Sequence, residues 1–482
     1  MGDGSFLGSR EIAERFVVKG LLKLQTPAHF GGGGQGSLVD MPLLLDPLAR
    51  RPVLTGASLS GALRNYLRER ELGYRCCDDN GDLEVALFGY RKDDKGEQSY
   101  LIVDDALAVE REPGVDRPGV ELRDGVAIDP FTRTSKEKAK FDFELLEAGT
   151  AFPLQMELLI PYAQKALREK LLQGLAIILQ GLERGEIPLG ARKRRGFGRC
   201  KVEKWGVQRY DLSQPTGLLT WLAGQAPNEQ AWGSTSEVLP AFGTDMDNRR
   251  SFTLQAVFGL RGSLIIRSGS EQAGEPDAIH LRSRRDNKSL PVLSGTSLAG
   301  ALRARARRIA LTIGEESLAE QFITSLFGTC EHDGLPVAGR LAVAETELEG
   351  CLEQVVSRVK IDRFTGGTFP AALFSEAPLW GQPGTSVRLR LRVENPGDQD
   401  IGALLLLLKD LWTADLPLGG EAAVGRGRLW GRKATLRLKE RHTEPVTWLI
   451  TANFPDRLTM EGDKNKLEDY VRAFLREVGA DG

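Results

Sequence analysis

The first half of the chain alternates between two periodicities. Alternating apolar and polar positions predict four strands, over residues 16–24, 100–109, 151–160 and 198–207. Apolar residues three and four apart, between Ser58 as the cap and Gly73, predict a helix over 58–72, and a similar pattern predicts a second helix over 162–183. The order strand, helix, strand, strand, helix, strand is typical of the ferredoxin-like fold.

Four short motifs occur twice, in the same order. PVLTGASLSGALR at 52–64 recurs as PVLSGTSLAGALR at 291–303, and LFG at 87–89 recurs at 326–328, both with an offset of 239. IDPFT at 128–132 recurs as IDRFT at 361–365, an offset of 233, and PLG with GFG at 188–198 recurs as PLG with GRG at 417–427, an offset of 229. The chain is therefore predicted to be a tandem duplication.

The repeats divide the sequence into four segments. The first repeat is predicted over 14–210 and the second over 250–438, with a linker at 211–249 that is rich in Gly, Pro, Ser, Asn and Gln. A C-terminal extension at 439–482 has no counterpart in the first repeat, and within it we predict a strand over 446–452 and a helix over 466–478.

Composition excludes several classes of protein. With 482 residues, 41% of them hydrophobic and 27% charged, the chain can bury real cores, which excludes a disordered or fibrous protein. No apolar run reaches the roughly 18–20 residues of a membrane helix, and the N-terminus lacks a signal-peptide pattern. We expect a soluble, cytoplasmic protein without a membrane partner. Five cysteines without a CxxC pair and four histidines argue against a structural zinc site, although Cys330 and His332 could supply two ligands, with an ordinary loop as the alternative.

The positive charge is concentrated in arginine. Lys and Arg total 64 against 66 Asp and Glu, and arginine supplies 45 of the 64. Arginines cluster at 192–195, 282–285 and 303–308. The planar guanidinium suits phosphate oxygens and bases, so these clusters are candidates for binding nucleic acid. The alternative is an ordinary solvated surface.

Two repeated features are candidates for binding phosphate. Glycine-rich segments with interleaved arginines, at 190–199 and 419–428, allow backbone amides to approach a phosphate chain. Ser58 and Ser297 lie where a helix begins, and helix N-termini attract anions. The alternatives are a turn before an edge strand in the first case and an ordinary N-cap in the second.

Together, the GxSLxGxLR, LFG and RGFGR motifs resemble the repeat-associated mysterious proteins (RAMPs) of CRISPR systems, most closely the backbone subunit of type III effector complexes. The two copies resemble the fused double-backbone subunit of type III-D variants. This resemblance implies an α+β protein of two tandem ferredoxin-like (RRM-like) RAMP domains with thumb hairpin insertions. It also implies three partners: a guide RNA, a complementary target RNA and other subunits of the complex. The expected RNA contacts are Ser58, Arg64, Arg192, Arg194, Arg195, Gly196, Ser297, Arg303 and Arg426.

The family's backbone subunit cuts target RNA with a loop aspartate and a divalent metal, here expected to be Mg²⁺. Asp40, in the loop that leads to the motif beginning at Gly56, matches that position closely. Asp277 precedes Gly295 at a slightly larger separation, and an arginine cluster replaces the turn that follows Asp40. The resemblance therefore implies that Asp40 and Asp277 are catalytic and bind the metal. A lone loop aspartate is otherwise a common turn former.

The resemblance also implies a thumb hairpin between the third strand and the second helix, which pushes between base pairs. Phe131, Arg133 and Phe364 fall in the repeated segment assigned to it, where the alternative is that the phenylalanines anchor the hairpin in the core. Two rival functions remain open. One is a backbone that binds RNA without cutting it, and the other is a guide-processing endoribonuclease that uses a histidine, for which His29 is the candidate in the first repeat.

Overall fold

A computed structural model describes residues 12–33, 39–75, 81–92, 95–109, 119–129, 132, 134–224, 232–240, 242, 244–268, 275–285, 288–329, 336–441, 443–453 and 457–480. The chain forms two compact units. Unit 1 comprises residues up to Leu122, Asp142–Lys193 and Phe197–Arg249. Unit 2 comprises Arg123–Phe141, Arg194–Gly196 and everything from Arg250 onward. None of the described helices is long and apolar enough to cross a membrane.

The elements up to residue 249 mix strands and helices. They are β1 Ile12–Leu24, β2 Val53–Leu54, α1 Gly56–Leu72, α2 Asp82–Phe88, β3 Tyr90–Lys92, β4 Lys95–Glu97, β5 Leu101–Val103, β6 Ala106–Leu107, β7 Val120–Ile128, β8 Ser135–Leu146, β9 Ala151–Pro161, α3 Arg168–Glu183, β10 Cys200–Asp211, α4 Pro215–Leu222 and α5 Thr235–Val238.

One four-stranded antiparallel sheet, in the order β10-β1-β9-β5, organises unit 1. Alternate residues of β1, including Phe16, Val18 and Leu22, are buried against α1 and α3. The predicted strands at 16–24 and 151–160 are therefore confirmed. The predicted strand at 100–109 is instead two short strands, β5 and β6, separated by Asp104 and Asp105.

The predicted helix at 58–72 begins two residues earlier and has a different cap. Thr55 is the N-cap, because its side chain accepts a hydrogen bond from the Ser58 N–H at 3.2 Å. Gly56 follows because a Cβ there would lie 2.1 Å from the Val103 carbonyl oxygen. The start of the predicted helix at 162–183 is a 3₁₀ turn over Tyr162–Leu167, and α3 follows it.

The elements from residue 250 onward repeat this order with additions. They are β11 Ser251–Arg261, β12 Ser263–Leu264, β13 Arg267–Ser268, β14 Ala278–His280, β15 Arg282–Arg285, β16 Lys288–Leu293, α6 Gly295–Ile313, α7 Glu316–Phe327, β17 Gly328–Thr329, β18 Val337–Ala338, β19 Leu341–Val343, β20 Thr346–Glu349, β21 Leu352–Glu353, β22 Val356–Ile361, β23 Thr368–Ala377, β24 Leu379–Trp380, β25 Ser386–Glu394, α8 Asp398–Trp412, β26 Arg428–Lys439, β27 Val446–Asn453, β28 Arg457–Glu461 and α9 Lys464–Glu477.

The C-terminal segment is part of the second repeat's sheet and core. β27 pairs with β26 and β28 pairs with β27, so the sheet continues through β25-β11-β26-β27-β28. Trp448 of β27 and Phe474 of α9 are each 1% exposed and belong to the same apolar core as β11 and α8. The predicted strand at 446–452 and helix at 466–478 are confirmed, and β28 was not predicted.

A long hairpin precedes the third sheet strand of each repeat. β7 and β8 form the first hairpin, and β22 pairs with β23 to form the second. The expectation of a hairpin between the third strand and the second helix was therefore wrong in position. Each hairpin instead connects the second sheet strand to the third, β9 or β25.

Candidate nucleic-acid interface

Asp40 is exposed and is held by the end of β8. The segment after it runs parallel to that strand, with Met41 bridged to Phe143. The Asp40 N–H donates to Oδ1 of Asp142 at 2.8 Å, and the Asp142 N–H donates to Oδ2 of Asp40 at 3.0 Å. Two reciprocal hydrogen bonds therefore fix the Asp40 carboxylate at the surface of unit 1.

Asp277 is held in the same way in unit 2. It immediately precedes β14, which pairs in parallel with β23. The Asp277 N–H donates to Oγ of Ser375 at 3.2 Å, and the Ser375 N–H donates to Oδ2 of Asp277 at 2.7 Å. These bonds from Ser375 lower the pKa of the Asp277 carboxyl, which stays ionised near neutral pH. Asp40 and Asp277 thus occupy equivalent positions in the two repeats.

Sequence reasoning missed the partners of these aspartates. The offset of 233 that relates the two hairpin motifs, from Ile128 to Ile361, also relates Asp142 to Ser375. This shared offset already indicated that Asp142 and Ser375 occupy equivalent positions in the two repeats. The first repeat brings two carboxylates together where the second has one.

The donor set suits a hard divalent cation. Mg²⁺ is usually held by one or two carboxylates and completes its shell with water and phosphate oxygens. The first repeat supplies two carboxylates, Asp40 and Asp142, and the second repeat supplies one, Asp277. Within the described residues no group of three or more His, Cys, Asp or Glu side chains is placed to hold a metal.

The glycine-rich segment of the first repeat lies beside Asp142. The Arg192 guanidinium is 4.7 Å from the centre of the Phe143 ring, and Phe197 packs edge-on against that ring at 6.0 Å. Arg192 also contacts the sulfur of Met41, next to Asp40, at 3.9 Å. The structure therefore brings Arg192 and Asp40, two of the predicted site residues, to one place.

The same contact in the second repeat is ionic. Arg426, at the position of Phe197, and Glu376, at the position of Phe143, are both buried and form an ion pair. Arg426 also contacts Glu421 at 2.9 Å, and Arg358 contacts Glu376 at 2.7 Å. Arg426 was predicted to contact RNA, but its guanidinium lies inside the protein and holds the glycine-rich segment against the hairpin.

The two predicted serines lie in the first turns of α1 and α6. The Ser294 side chain accepts from the Ser297 N–H at 3.2 Å, as Thr55 does from Ser58, so the two helices begin identically. At α1, the Asp105 carboxylate also accepts from the Gly56 N–H at 2.6 Å. Two donors of this helix start therefore already have protein acceptors.

The predicted basic contacts have varied surroundings. Arg64 forms an ion pair with the buried Glu84 and donates to the Gly89 carbonyl at 3.2 Å, which links the GxSLxGxLR motif to the LFG motif. Arg194 forms an ion pair with Glu394 at 2.7 Å within unit 2. Arg195 and Arg303 are partly exposed, and Gly196 is buried with φ of +90°.

The hairpin of the second repeat carries an apolar tip. Phe364 is 99% exposed, in a turn where Asp362 accepts from its backbone N–H at 2.9 Å. The alternative that this phenylalanine anchors the hairpin in the core is wrong. Phe131 and Arg133, predicted for the first hairpin, lie outside the described residues, as do Cys330 and His332.

His29 is poorly placed for catalysis. Its side chain is 4% exposed, and Nδ1 hydrogen-bonds to the Glu144 carbonyl oxygen at 2.8 Å. The Glu144 carboxylate in turn accepts from the Leu43 N–H at 2.9 Å. His29 therefore anchors its own segment to the backbone of β8, and its burial there argues against the guide-processing alternative.

Comparison with known proteins identifies the class. The profile of the RAMP superfamily matches residues 21–201 and 260–430, which are most of both repeats. The chain therefore belongs to the RAMP superfamily.

Two relatives are more specific, and both are named CRISPR system Cms endoribonuclease Csm3. The protein from Streptococcus thermophilus is 27% identical over 222 residues, which cover 41% of this chain and 94% of that protein. The protein from Enterococcus italicus is 28% identical over 96 residues, which cover 19% of this chain and 45% of that protein. Two RAMP repeats in one chain fit a fused backbone subunit.

Proposed function

We propose that this chain is a double backbone subunit of a type III CRISPR ribonucleoprotein. It binds a guide RNA along both repeats, assembles with other subunits of the complex in the cytoplasm, and cuts complementary target RNA. Each repeat is a ferredoxin-like unit, a proposal supported by the strand order β10-β1-β9-β5. The similarity to two proteins named as Csm3 endoribonucleases supports the choice of reaction.

The observation that carries the proposal is the shared hydrogen-bonding of Asp40 and Asp277. In both repeats an exposed carboxylate is fixed by a strand end beside the base of a hairpin. When bound, a divalent metal such as Mg²⁺ supplies charge stabilisation at the scissile phosphate. The protein's own part is to orient that carboxylate, since attack by the RNA 2′-hydroxyl needs in-line geometry more than a protein nucleophile.

The test is to map the ends of target RNA cut by the assembled complex, with magnesium and with a chelator. Asp40→Ala is expected to remove one cut and Asp277→Ala another, without loss of target binding. Asp46→Ala is the matched control, because Asp46 is a nearby carboxylate that caps its own turn by accepting from the Leu48 N–H at 3.0 Å.

Each result has a definite meaning. Cleavage that survives the Asp40→Ala/Asp277→Ala double substitution would remove the chemistry from this chain and leave a purely RNA-binding backbone. Loss of target binding together with cutting would show that the aspartates are structural. Cuts that persist in the presence of the chelator would exclude a metal-dependent reaction.

A further inference from the structure

The second repeat's sheet has an outer face that none of the preceding roles uses. Apolar residues of β11, β25 and β26 point inward to the core shared with α6 and α8. The alternate residues point the other way. On β25 they include Arg388, Arg390 and Arg392, and on β26 they include Arg428, Lys433 and Arg437. The outer face is therefore strongly basic.

Strand register arranges these cations in two rows. Gln255 of β11 lies opposite Arg390 on one side, and Thr253 lies opposite Arg392 on one side and Arg437 on the other. Val257 similarly lies between Arg388 and Lys433. Adjacent strands are about 4.8 Å apart, so the rows lie about 10 Å apart, with steps of about 7 Å along β25 and about 13 Å between Lys433 and Arg437 of β26. Between them, β11 forms a floor without charge over residues 253–259.

Two carboxylates pair with the row on β25, and one of them, Glu349 of the neighbouring strand β20, contacts Arg388 at 3.0 Å. On the three strands, all of whose residues the structure describes, the only outward carboxylate is Glu394, at the end of β25, where it pairs with Arg392 at 3.1 Å. Arg428, Lys433 and Arg437 are exposed. At the far end, Trp430 lies across Gly259, and the Arg432 guanidinium stacks 4.5 Å from the centre of its ring, which fixes one more cation.

The first repeat shows that the fold itself does not require this arrangement. β9 pairs with β1 as β25 pairs with β11, yet its outward residues include Gln155 and Glu157 and no cation. Outward cations of the first repeat lie on the central strand β1, as Lys19 and Lys23 do, and on β10, as Lys201 does. Two cationic rows beside a neutral central strand are therefore a property of the second repeat.

From this charge complementarity, we infer that the outer face of β25, β11 and β26 binds a single strand of RNA through its phosphates, with the strand lying along β11. Arginine and lysine on both sides of a neutral floor fit a phosphate chain without reading its bases. The identity of the nucleic acid as RNA rests on the proposed function. The surface itself is separate from Asp40, Asp277 and the hairpins.

The test is the salt dependence of RNA binding by the full chain. The probe is a short fluorescein-labelled single-stranded RNA followed by anisotropy. The variant Arg390→Gln/Lys433→Gln/Arg437→Gln removes three cations from the face. The matched control Lys409→Gln/Lys464→Gln/Arg472→Gln removes three exposed cations from α8 and α9. Thermal unfolding verifies that both variants fold.

The face variant is expected to bind more weakly and to lower the slope of log affinity against log salt by about 2, at roughly 0.7 for each phosphate contact. The control is expected to keep the wild-type slope, and RNAs of different sequence should behave alike. An unchanged slope in the face variant, or an equal fall in the control, overturns the inference and leaves the face to a protein partner.

The outcome is separable from that of the proposed function. The Asp40→Ala/Asp277→Ala variant should keep the face-dependent slope although it cuts no RNA. If the face binds RNA but the chain does not cut it, only the proposed chemistry is overturned. If the chain cuts RNA but the face variant keeps the wild-type salt slope, only the inference about the face is overturned.

Discussion

Asp142 and Ser375 occupy the same position beside the two loop aspartates but differ in chemistry. Each accepts a hydrogen bond from the aspartate's backbone N–H, so each positions its neighbour. Asp142 adds a second carboxylate, whereas Ser375 adds a hydroxyl that donates to Asp277 at 3.0 Å. The proposed metal would therefore meet more negative charge in the first repeat than in the second.

Asp142→Ser is expected to keep the first-repeat cut but to raise the magnesium concentration needed for half-maximal cutting by about tenfold, because loss of a supporting carboxylate typically weakens metal binding by that much or more. The serine should still accept from the Asp40 N–H, as Ser375 does from Asp277. Ser375→Asp is the reciprocal variant and should lower the requirement at the second site. Magnesium titrations that superimpose for all three proteins would contradict this prediction.

His280 is a buried, neutral histidine on β14. Nδ1 accepts from the Ile266 N–H at 3.2 Å, so Nε2–H donates to the Val292 carbonyl oxygen at 3.1 Å. Burial lowers the pKa of His280 to about 4. In the unfolded chain the histidine has a pKa near 6.5, so it becomes protonated below that pH while the folded histidine stays neutral. The free energy of unfolding therefore falls as pH drops from about 6.5 towards 4.

At pH 5 the loss is expected to be about 2 kcal/mol relative to pH 7. Urea unfolding of wild type and His280→Gln at both pH values measures it, with attention to the transition of unit 2. The glutamine variant has no titrating group and should lack this share of the pH dependence, whatever its stability at pH 7. An identical pH dependence in the two proteins would show that His280 does not contribute.

At the scale of whole elements, hydrophobic periodicity predicted individual strands and helices but not the contacts between residues that are distant in sequence. The strand at 16–24 and the helix at 58–72 follow from residues close in sequence. The partner of Asp40 does not, because it lies 102 residues away and is reached only through parallel pairing with β8. Arg426 was misjudged for the same reason, since its partner Glu376 is 50 residues distant.

The β22–β23 hairpin carries exposed apolar side chains that do not pack in the core of the repeat. Phe364 is 99% exposed and Leu373 is 72% exposed. Phe364→Ala is expected to change the free energy of unfolding by no more than about 0.5 kcal/mol, since the ring buries nothing. If the tip unstacks a base step of a guide–target duplex, as the resemblance to the family implies, cutting of the target should fall.

Target cleavage by the assembled complex and thermal unfolding together measure both effects. Leu373→Ala, on the stem of the same hairpin, is the control for loss of exposed apolar surface and should leave cutting closer to wild type. Full cutting by Phe364→Ala would remove the wedge from the mechanism without affecting the fold of the repeat.

At the scale of the molecule, the C-terminal segment makes the second repeat different from the first. The sequence predicted an extension from 439 onward, because it has no counterpart upstream. In the structure β27 continues the sheet beyond β26, and α9 packs on α8. Sequence alone could not show this, because the repeat pattern ends at β26. In the described part of the first repeat, the corresponding strand β10 is the edge of its sheet, so the upstream repeat gives no pattern for a strand beyond it.

A chain ending at Glu440 is therefore expected to lose the cooperative unfolding of unit 2, because Trp448, Phe474 and Val478, each at most 1% exposed, leave its core. Removing one such large side chain already costs about 3–5 kcal/mol, which rivals the whole stability of a domain. Calorimetry should show the transition of unit 1 alone, while a control chain ending at Ala480 keeps both. Two intact transitions in the shorter chain would mean that the first strands of the second repeat form a stable core without this segment.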